Sequence, residues 1–377
     1  MQKIISSIKN NAILYISGLL AFISCFFVKP DMKYADYINV RVLAILFSLM
    51  LIVGALGHIG TFDILTNKLL SRVRTYRGIS LLMSLLAFFL SMFLTNDVSL
   101  VTLVPFAIMV LAPFGENRKL MYTLIIMTVA ANLGSMLTPI GNPQNLYLYD
   151  TYKVPLTRFL FLMLPYSLMS LVLIIALTFI LIKGSSELPV NGRRETGKLS
   201  AVKLVIYFVL FVLNILTVIG IVHFLISLIV TVAAMIIMDR KAFIKADYNL
   251  LLTFVFFFVL IGNIGRIDTI TNALSGLVSG HPVPAAVLSS QIISNVPAAM
   301  LLSAFTADGE SLIIGTNLGG LGTLIASMAS LITYRFHSAY SKSLEDKSKQ
   351  GNYLLNFTVI NIVMLAVLFA LYLILNH

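Results

Sequence analysis

Residues 57–67 read GHIGTFDILTN, and residues 262–272 read GNIGRIDTITN. Both glycines, the isoleucine between them, the aspartate and the Thr-Asn pair coincide at a constant offset. What the repetition means depends on which way each copy faces, and that depends on the sequence around it.

The surrounding chain has the composition of a membrane protein. Of its 377 residues, 59% are hydrophobic and 11% charged, where a soluble domain carries about 25% charged residues. Mean hydropathy is +0.98, and apolar runs near the roughly 20 residues needed to cross a bilayer recur along the chain. The net charge of +11 does not point to nucleic acid. Lys and Arg sit in short loops between apolar runs, with no basic domain to bind a polyanion. Cys25 is the only cysteine, which excludes an intrachain disulfide. The first apolar run, 12–28, follows Lys3 and Lys9 without a small-residue cleavage site and reads as a retained helix. Tyr147, Tyr149 and Tyr152 are expected as interfacial anchors in a chain without Trp.

Spanning helices are expected near 12–28, 41–60, 118–149, 159–182, 202–219, 222–238, 248–264, 311–335 and 354–375. Two apolar stretches, 78–112 and 280–307, are each interrupted by a polar tip. With the N-terminus in the cytoplasm, the inside loops hold Lys68, Arg72, Arg74, Arg77, Arg118, Lys119, Lys183, Arg193, Arg194, Lys198, Arg240, Lys241, Lys245, Arg335, Lys342, Lys347 and Lys349. Outside loops carry Asp31, Asp36, Asp150, Asp268, Asp308 and Glu310. Outside loops also hold fewer cations, so the positive-inside rule is obeyed at most turns, and the C-terminus falls outside.

In this layout the helix before GHIGTFDILTN runs inward and the helix before GNIGRIDTITN runs outward. The copies are therefore inverted. Further matches follow in order: LTND at 94–97 with ISNV at 293–296, and NLGSMLTPI at 132–140 with NLGGLGTLI at 317–325. The expected fold is an all-α polytopic membrane protein with two inverted-topology repeats, each with a re-entrant hairpin and a broken transmembrane helix. Residues 1–184 form the first repeat (hairpin 78–112, broken helix 118–149), 185–220 the linker and linking helix, and 221–377 the second repeat (hairpin 280–307, broken helix 311–335). Inverted repeats are a transporter signature. Asp63 and Asp268 are expected at or near helix N-caps, followed by an amphipathic interfacial segment. His58 and His223 read as structural.

The tips are Thr95-Asn96-Asp97 and Ser294-Asn295-Val296-Pro297. The limbs flanking the second are too short to span, and those flanking the first are marginal. Two full spans with Asn96 and Asp97 in a surface turn would satisfy hydropathy at the first. At mid-depth, Asn and Ser suit N-caps and Pro297 suits the first turn of a new helix. Each second limb then aims a positive N-terminus at the midplane, which favours an anion, while freed carbonyls suit a cation such as Na⁺. In 132–145, NLGSMLTPIGNPQN, Pro139 disfavours helix at Thr138 and Asn142-Pro143 restarts one. The partner segment relies on Gly319, Gly320 and Gly322. Asp97 is the one carboxylate expected inside the membrane, where an ionisable group is functional by default.

These residues resemble a known family. LTNDVSLVTLVPFAI resembles the Asn-Asp hairpin of bacterial arsenite permeases. SNVPAAML and ANLGSMLTPIGNPQNL resemble the ion transporter superfamily, which includes divalent anion/sodium symporters and citrate transporters. The resemblance implies a homodimer of elevator-type transporters in the inner membrane of a bacterium. It implies substrate and cation at Thr95, Asn96, Ser294 and Asn295, with Thr138, Gly141, Asn142, Pro143, Asn145 and Thr323 lining the breaks. Asn132, Asn317, Gly319 and Gly322, in the same two segments, are further candidates for the substrate and ion site. Dicarboxylate members carry Ser-Asn-Thr at both tips, whereas this chain carries Thr-Asn-Asp and Ser-Asn-Val. A carboxylate beside the site repels a dianion, which favours a neutral or weakly charged oxyanion, or proton coupling. The leading expectation is a secondary transporter of an inorganic or organic anion driven by Na⁺ or H⁺. It has no other cofactor and no metal except Na⁺ at the tips. A Na⁺/H⁺ antiporter titrating at Asp97 is the alternative. An intramembrane enzyme is a minor one, because Tyr149-Asp150 has no partner motif.

Overall fold

A computed structural model describes residues 12–70, 73, 75–184, 200–268, 271, 275–276, 278, 280–344 and 352–376. Residues 185–199 of the expected linker, the side chain of Asp63 and seven loop cations (Arg72, Arg74, Arg193, Arg194, Lys198, Lys347 and Lys349) lie outside them.

The architecture is helical. In chain order the helices are α1 (Ala12–Phe27), α2 (Val40–His58), α3 (Thr61–Leu70), α4 (Tyr76–Leu94), α5 (Asn96–Leu111), α6 (Asn117–Ser135), α7 (Pro143–Tyr152) and α8 (Leu156–Leu181). They continue with α9 (Ala201–Val218), α10 (Phe224–Met238), α11 (Tyr248–Ile264), α12 (Pro282–Ile293), α13 (Asn295–Ser303), α14 (Gly309–Leu318), α15 (Met328–Lys342) and α16 (Tyr353–Leu375). Among the described residues, six helices are long and apolar enough to cross a membrane: α2, α4, α5 with the short turn after it, α8, α9 and α16. Helices α1, α10 and α11, expected to span, are apolar but shorter. Asp268 opens a helical turn and Asp63 is the third residue of α3.

The helices sort into two packed groups. In one, α1 packs on α11, and α2 packs on α9 and α10. In the other, α4, α5 and α6 pack together, α12, α13 and α14 do the same, and α15 lies against α5 and α6. Contact between the groups includes α2 on α7 and α11 on α13, and α3 touches both α2 and α4.

Local sequence explains the interruptions. A proline and a glycine end α6, and Asn142 restarts the chain: its Oδ1 accepts the Asn145 N–H at 3.0 Å, with Pro143 at the first helical position. The second interruption, between Leu318 and Met328, turns on Gly322 at φ 106°, a conformation closed to most side chains. Helices α12 and α13 have 12 and 9 residues, so they reach about 18 and 14 Å and neither spans alone. Helix α4, with 19 residues, and α5, with 16 and the short turn after it, are each long enough to span.

The tyrosine expectation is corrected. Because the first interruption turns α7 into the protein, Tyr147 and Tyr149 are buried and not at a lipid interface. The Tyr147 hydroxyl pairs with Ser303 Oγ at 2.8 Å, and the Tyr152 hydroxyl donates to the Thr306 carbonyl at 2.8 Å. His58 Nδ1 lies 2.8 Å from Asp239 Oδ2, and His223 accepts the Leu225 N–H, as structural residues do.

Candidate functional site

The two tips share one unusual backbone shape. Thr95 has φ 71° and ψ 150°, and Ser294 has φ 73° and ψ 154°. That region is nearly reserved for glycine, and holding another residue there costs about 1–3 kcal/mol. Capping of the tip helices differs in part from expectation: the cap positions are Thr95 and Ser294, neither of which makes a side-chain cap bond, while Asn96 Oδ1 accepts the Asp97 N–H at 3.0 Å. Instead the Asn96 N–H donates to the Gly141 carbonyl at 3.2 Å, and the Asn295 N–H donates to the Ala326 carbonyl at 3.0 Å. These two carbonyls of the interruptions are therefore engaged by the tips.

The same correspondence runs through the rest of the site. The Thr138 hydroxyl donates to the Met92 carbonyl, and the Thr323 hydroxyl donates to the Gln291 carbonyl at 3.2 Å. Asn142 Nδ2 donates to Asn317 Oδ1 at 3.2 Å, and Ser327 Oγ donates to Asn132 Oδ1 at 3.0 Å. Gly134 lies against Ser91, and Gly319 against Ser290. In each case the two contacts join positions paired at the offsets of the sequence matches.

At the centre the two interruptions meet in a buried amide network. Asn96 Nδ2 donates to Asn132 Oδ1 at 3.0 Å, and Asn317 Nδ2 to Asn145 Oδ1 at 2.6 Å. Asn145 Nδ2 reaches the carbonyls of Ser135, Met136 and Thr138 at 3.2–3.4 Å. Asn132 Nδ2 is buried and has no hydrogen-bond partner among the described residues. Buried polar groups left so are uncommon and call for an explanation. Asn295 is buried against Gly320, and Pro297 is buried in the first turn of α13. A side chain at Gly141 would meet the Ser135 backbone, and one at Gly322 would meet the Gln291 amide. Thr138 and Thr323 brace the interruptions with their hydroxyls turned to α4 and α12, not to the amides.

The Asp97 side chain stands apart from this network, although its N–H donates to Asn96 Oδ1 at 3.0 Å. It is half-buried, and it lines a cavity of about 630 Å³ together with Thr95, Ile140, Pro143 and Met328 at the tip. Lys245, Asp247, Thr253, Tyr334 and Arg335 also line the cavity. Its Oδ1 is buried without a hydrogen-bond partner among the described residues. The position paired with it, Val296, carries no charge.

Several site residues went unrecognised in the sequence. Gln291 buckles α12 to the second interruption: its Nε2 donates to the Gly319 and Leu321 carbonyls at 3.0 and 2.9 Å, and its Oε1 accepts the Thr323 N–H at 2.8 Å. Its only signal was a polar residue one turn before a tip. Ser135 and Ser327 are small polar residues that nothing local distinguishes. Among the cavity's charged residues, Lys245 and Arg335 were read only for orientation, and Asp247 went unread; Arg335, expected in a loop, lies within α15.

Asp150, weighed as half of a protease site, is taken up elsewhere. It is buried, 3.3 Å from Arg41 and 3.1 Å from Lys153, and Asn39 Nδ2 donates to it at 2.8 Å.

Comparison with known proteins gives the class. The family model described as "Citrate transporter" (CitMHS) matches residues 3–309. An uncharacterized transporter of Methanocaldococcus jannaschii, MJ0456, is 33% identical over 86% of this chain and 87% of its own length. The inner membrane protein YbiR of Escherichia coli is 30% identical over 77% of this chain and 78% of its own. The silicon efflux transporter LSI3 of Oryza sativa subsp. japonica is 31% identical over 39% of this chain and 30% of its own. The chain is thus a multi-pass membrane transporter and not an enzyme, and it belongs to the CitMHS citrate transporter family within the ion transporter superfamily.

Proposed function

We propose that this protein is a secondary transporter of a small anion, worked by alternating access between two inverted repeats. The observation that carries the reading is the paired bonding of the two tips, Asn96 to Gly141 and Asn295 to Ala326, at one backbone geometry. Two like devices meeting at two interrupted helices are what a symmetric carrier needs at mid-depth. On this reading α4–α5 and α12–α13 are re-entrant hairpins. The substrate is held where they meet the asparagines, and the free donor of Asn132 faces it. The group of α4–α8 and α12–α16 is the mobile element of an elevator, and the group of α1, α2, α9, α10 and α11 is the scaffold of a homodimer.

The cavity walls include Lys245 and Arg335, from two cation-rich segments that the positive-inside pattern puts at the cytoplasmic side. The conformation is then inward-facing, in a bacterial inner membrane, with the N-terminus inside and the C-terminus outside. Na⁺ or H⁺ supplies the driving gradient. A second reading, a Na⁺/H⁺ antiporter, is favoured by Asp97 lying on the cavity wall.

The test uses purified protein in liposomes with labelled citrate, phosphate, arsenite and silicic acid. Uptake of one probe by the wild type, lost in both Asn96→Ala and Asn295→Ala with folding retained, is the expected result. Undiminished uptake by both variants would remove the site from the tips. Sodium-driven proton release without any anion would move the antiporter ahead.

A further inference from the structure

The matched devices of the two halves make one mismatch informative. Tip geometry, tip bond, threonine brace, asparagine-to-cap bond and serine-contacting glycine all occur twice. The carboxylate of Asp97 occurs once, opposite Val296. A group required by the hairpin fold would be expected in both hairpins, so the fold does not account for Asp97.

Its position suggests what it does. Asp97 adjoins Asn96 in the chain and lines the cavity that ends at the first tip. Its Oδ1 is buried without a hydrogen-bond partner among the described residues. The other charged or titratable groups on the cavity wall are Lys245, Asp247, Tyr334 and Arg335. The two cations and Asp247 offset one another in part, while at the tip Asp97 is the sole charge. The central network offers anions only amides, hydroxyls and helix N-termini. No Lys or Arg side chain takes part in these bonds.

We propose that Asp97 is a specificity-determining residue, an electrostatic filter that admits oxyacids of low charge and excludes polyanions such as tricarboxylates. This rests on the tips being the substrate site, as proposed above. At an effective dielectric constant near 20, an ionised carboxylate about 10 Å from a bound charge of the same sign opposes it by about tenfold in affinity per unit of that charge. A neutral acid feels nothing, a monoanion is held back modestly, and a trianion is held back by about a thousandfold. Helix N-termini at the tips still favour a single negative charge. The filter therefore narrows a general preference for anions to weakly charged ones.

The experiment measures binding by thermal stabilisation of the purified protein, with silicic acid, phosphate, succinate and citrate as probes. Wild type, Asp97→Asn, Asp97→Glu and Asn295→Ala are compared. In Asp97→Asn, affinity should rise with probe charge, from no change for silicic acid to the largest gain for citrate. Asp97→Glu should keep the wild-type order, and Asn295→Ala should lose binding. A merely structural aspartate would shift all four probes alike, and that result overturns the proposal. So does wild-type protein that holds citrate more tightly than the low-charge probes. Binding that survives in Asn295→Ala overturns instead the assignment of the substrate to the tips. If wild type binds no probe and Asp97→Asn binds citrate, the filter stands in its strongest form. If neither binds any probe, the filter and the site both fall.

Discussion

Gly134→Ala tests the packing beneath the site. Gly134 lies in α6, two residues after Asn132, where α6 crosses α4. A Cβ there would lie 2.7 Å from the Phe88 carbonyl carbon and 2.7 Å from Ser91 Oγ, and closer still to the Phe88 carbonyl oxygen. Ordinary carbon contacts need about 3.5–4.0 Å. The obstacle is backbone, which no rotamer change relieves, so the helices must part. Overpacking of this kind costs about 1–3 kcal/mol, and the upper end is expected. Separation by roughly an ångström would also break bonds that weaken steeply with length. The first to go would be the 3.0 Å links from Asn132 to Asn96 and Ser327. The sign decides the test. Alanine is intrinsically better than glycine in a helix by about 1 kcal/mol, so without the clash this variant would be stabilised. Thermal unfolding in detergent should show a fall in Tm of several degrees together with lost transport. Gly280→Ala, whose Cβ meets nothing within 4 Å, is the control. A Gly134→Ala protein as stable as wild type, or more so, would refute the close crossing of α4 and α6.

Other outcomes follow from the same geometry. Gly319→Ala meets Ser290 Oγ at 2.6 Å, Ser290 Cβ at 2.8 Å and the Gly315 carbonyl oxygen at 2.9 Å; these contacts are less severe than the one with the Phe88 carbonyl oxygen, so its Tm should fall less than that of Gly134→Ala, and an equal or larger fall would contradict this. Asn317→Ala removes partners from the Asn142 and Asn145 amides and should cost about 1–3 kcal/mol as a buried acceptor is stranded; an unchanged unfolding midpoint would count against the network. Arg41 donates to the Thr217 carbonyl in α9 and pairs with Asp150 in α7, clasping the two helix groups. In a Cys25→Ser background, Arg41→Ala should speed labelling of Thr151→Cys by an impermeant maleimide, and unchanged labelling would show the clasp to be idle. The Arg266 guanidinium, 2.9 Å away, holds the exposed Asp31 carboxyl below its ordinary 3.8. A lowered folded value means its small contribution is present above about pH 4 and lost as pH falls through the folded value. Asp31→Asn should flatten the acid limb of Tm against pH, and superimposable curves would deny the link.

Much of this was legible from residue pattern. Pro139, Asn142 and Pro143 mark the end of α6 and the start of α7 because their effects on φ and on N–H capping are local. The tips announced themselves as polar residues inside apolar runs. What could not be read was which group answers which across the chain. Ser327 reaches Asn132, 195 residues away, through side chains whose meeting depends on how two interrupted helices cross. The tip amides bond to backbone carbonyls, which every residue owns and none advertises. Tyr147 and Tyr149 have an anchor's composition and a core residue's position, because the turn after Ile140 decides where they point.

The unequal limbs carry one more consequence. Helices α4 and α5 have 19 and 16 residues, and their counterparts α12 and α13 have 12 and 9. Parts of different length cannot exchange roles as mirror images. On the alternating-access mechanism proposed above, the half-saturating concentration measured from one side of the bilayer should therefore differ from that measured from the other, even with no gradient imposed. At equilibrium this difference does no net work. Under load it acts as a rectifier, setting how quickly the carrier responds when substrate first appears on one side.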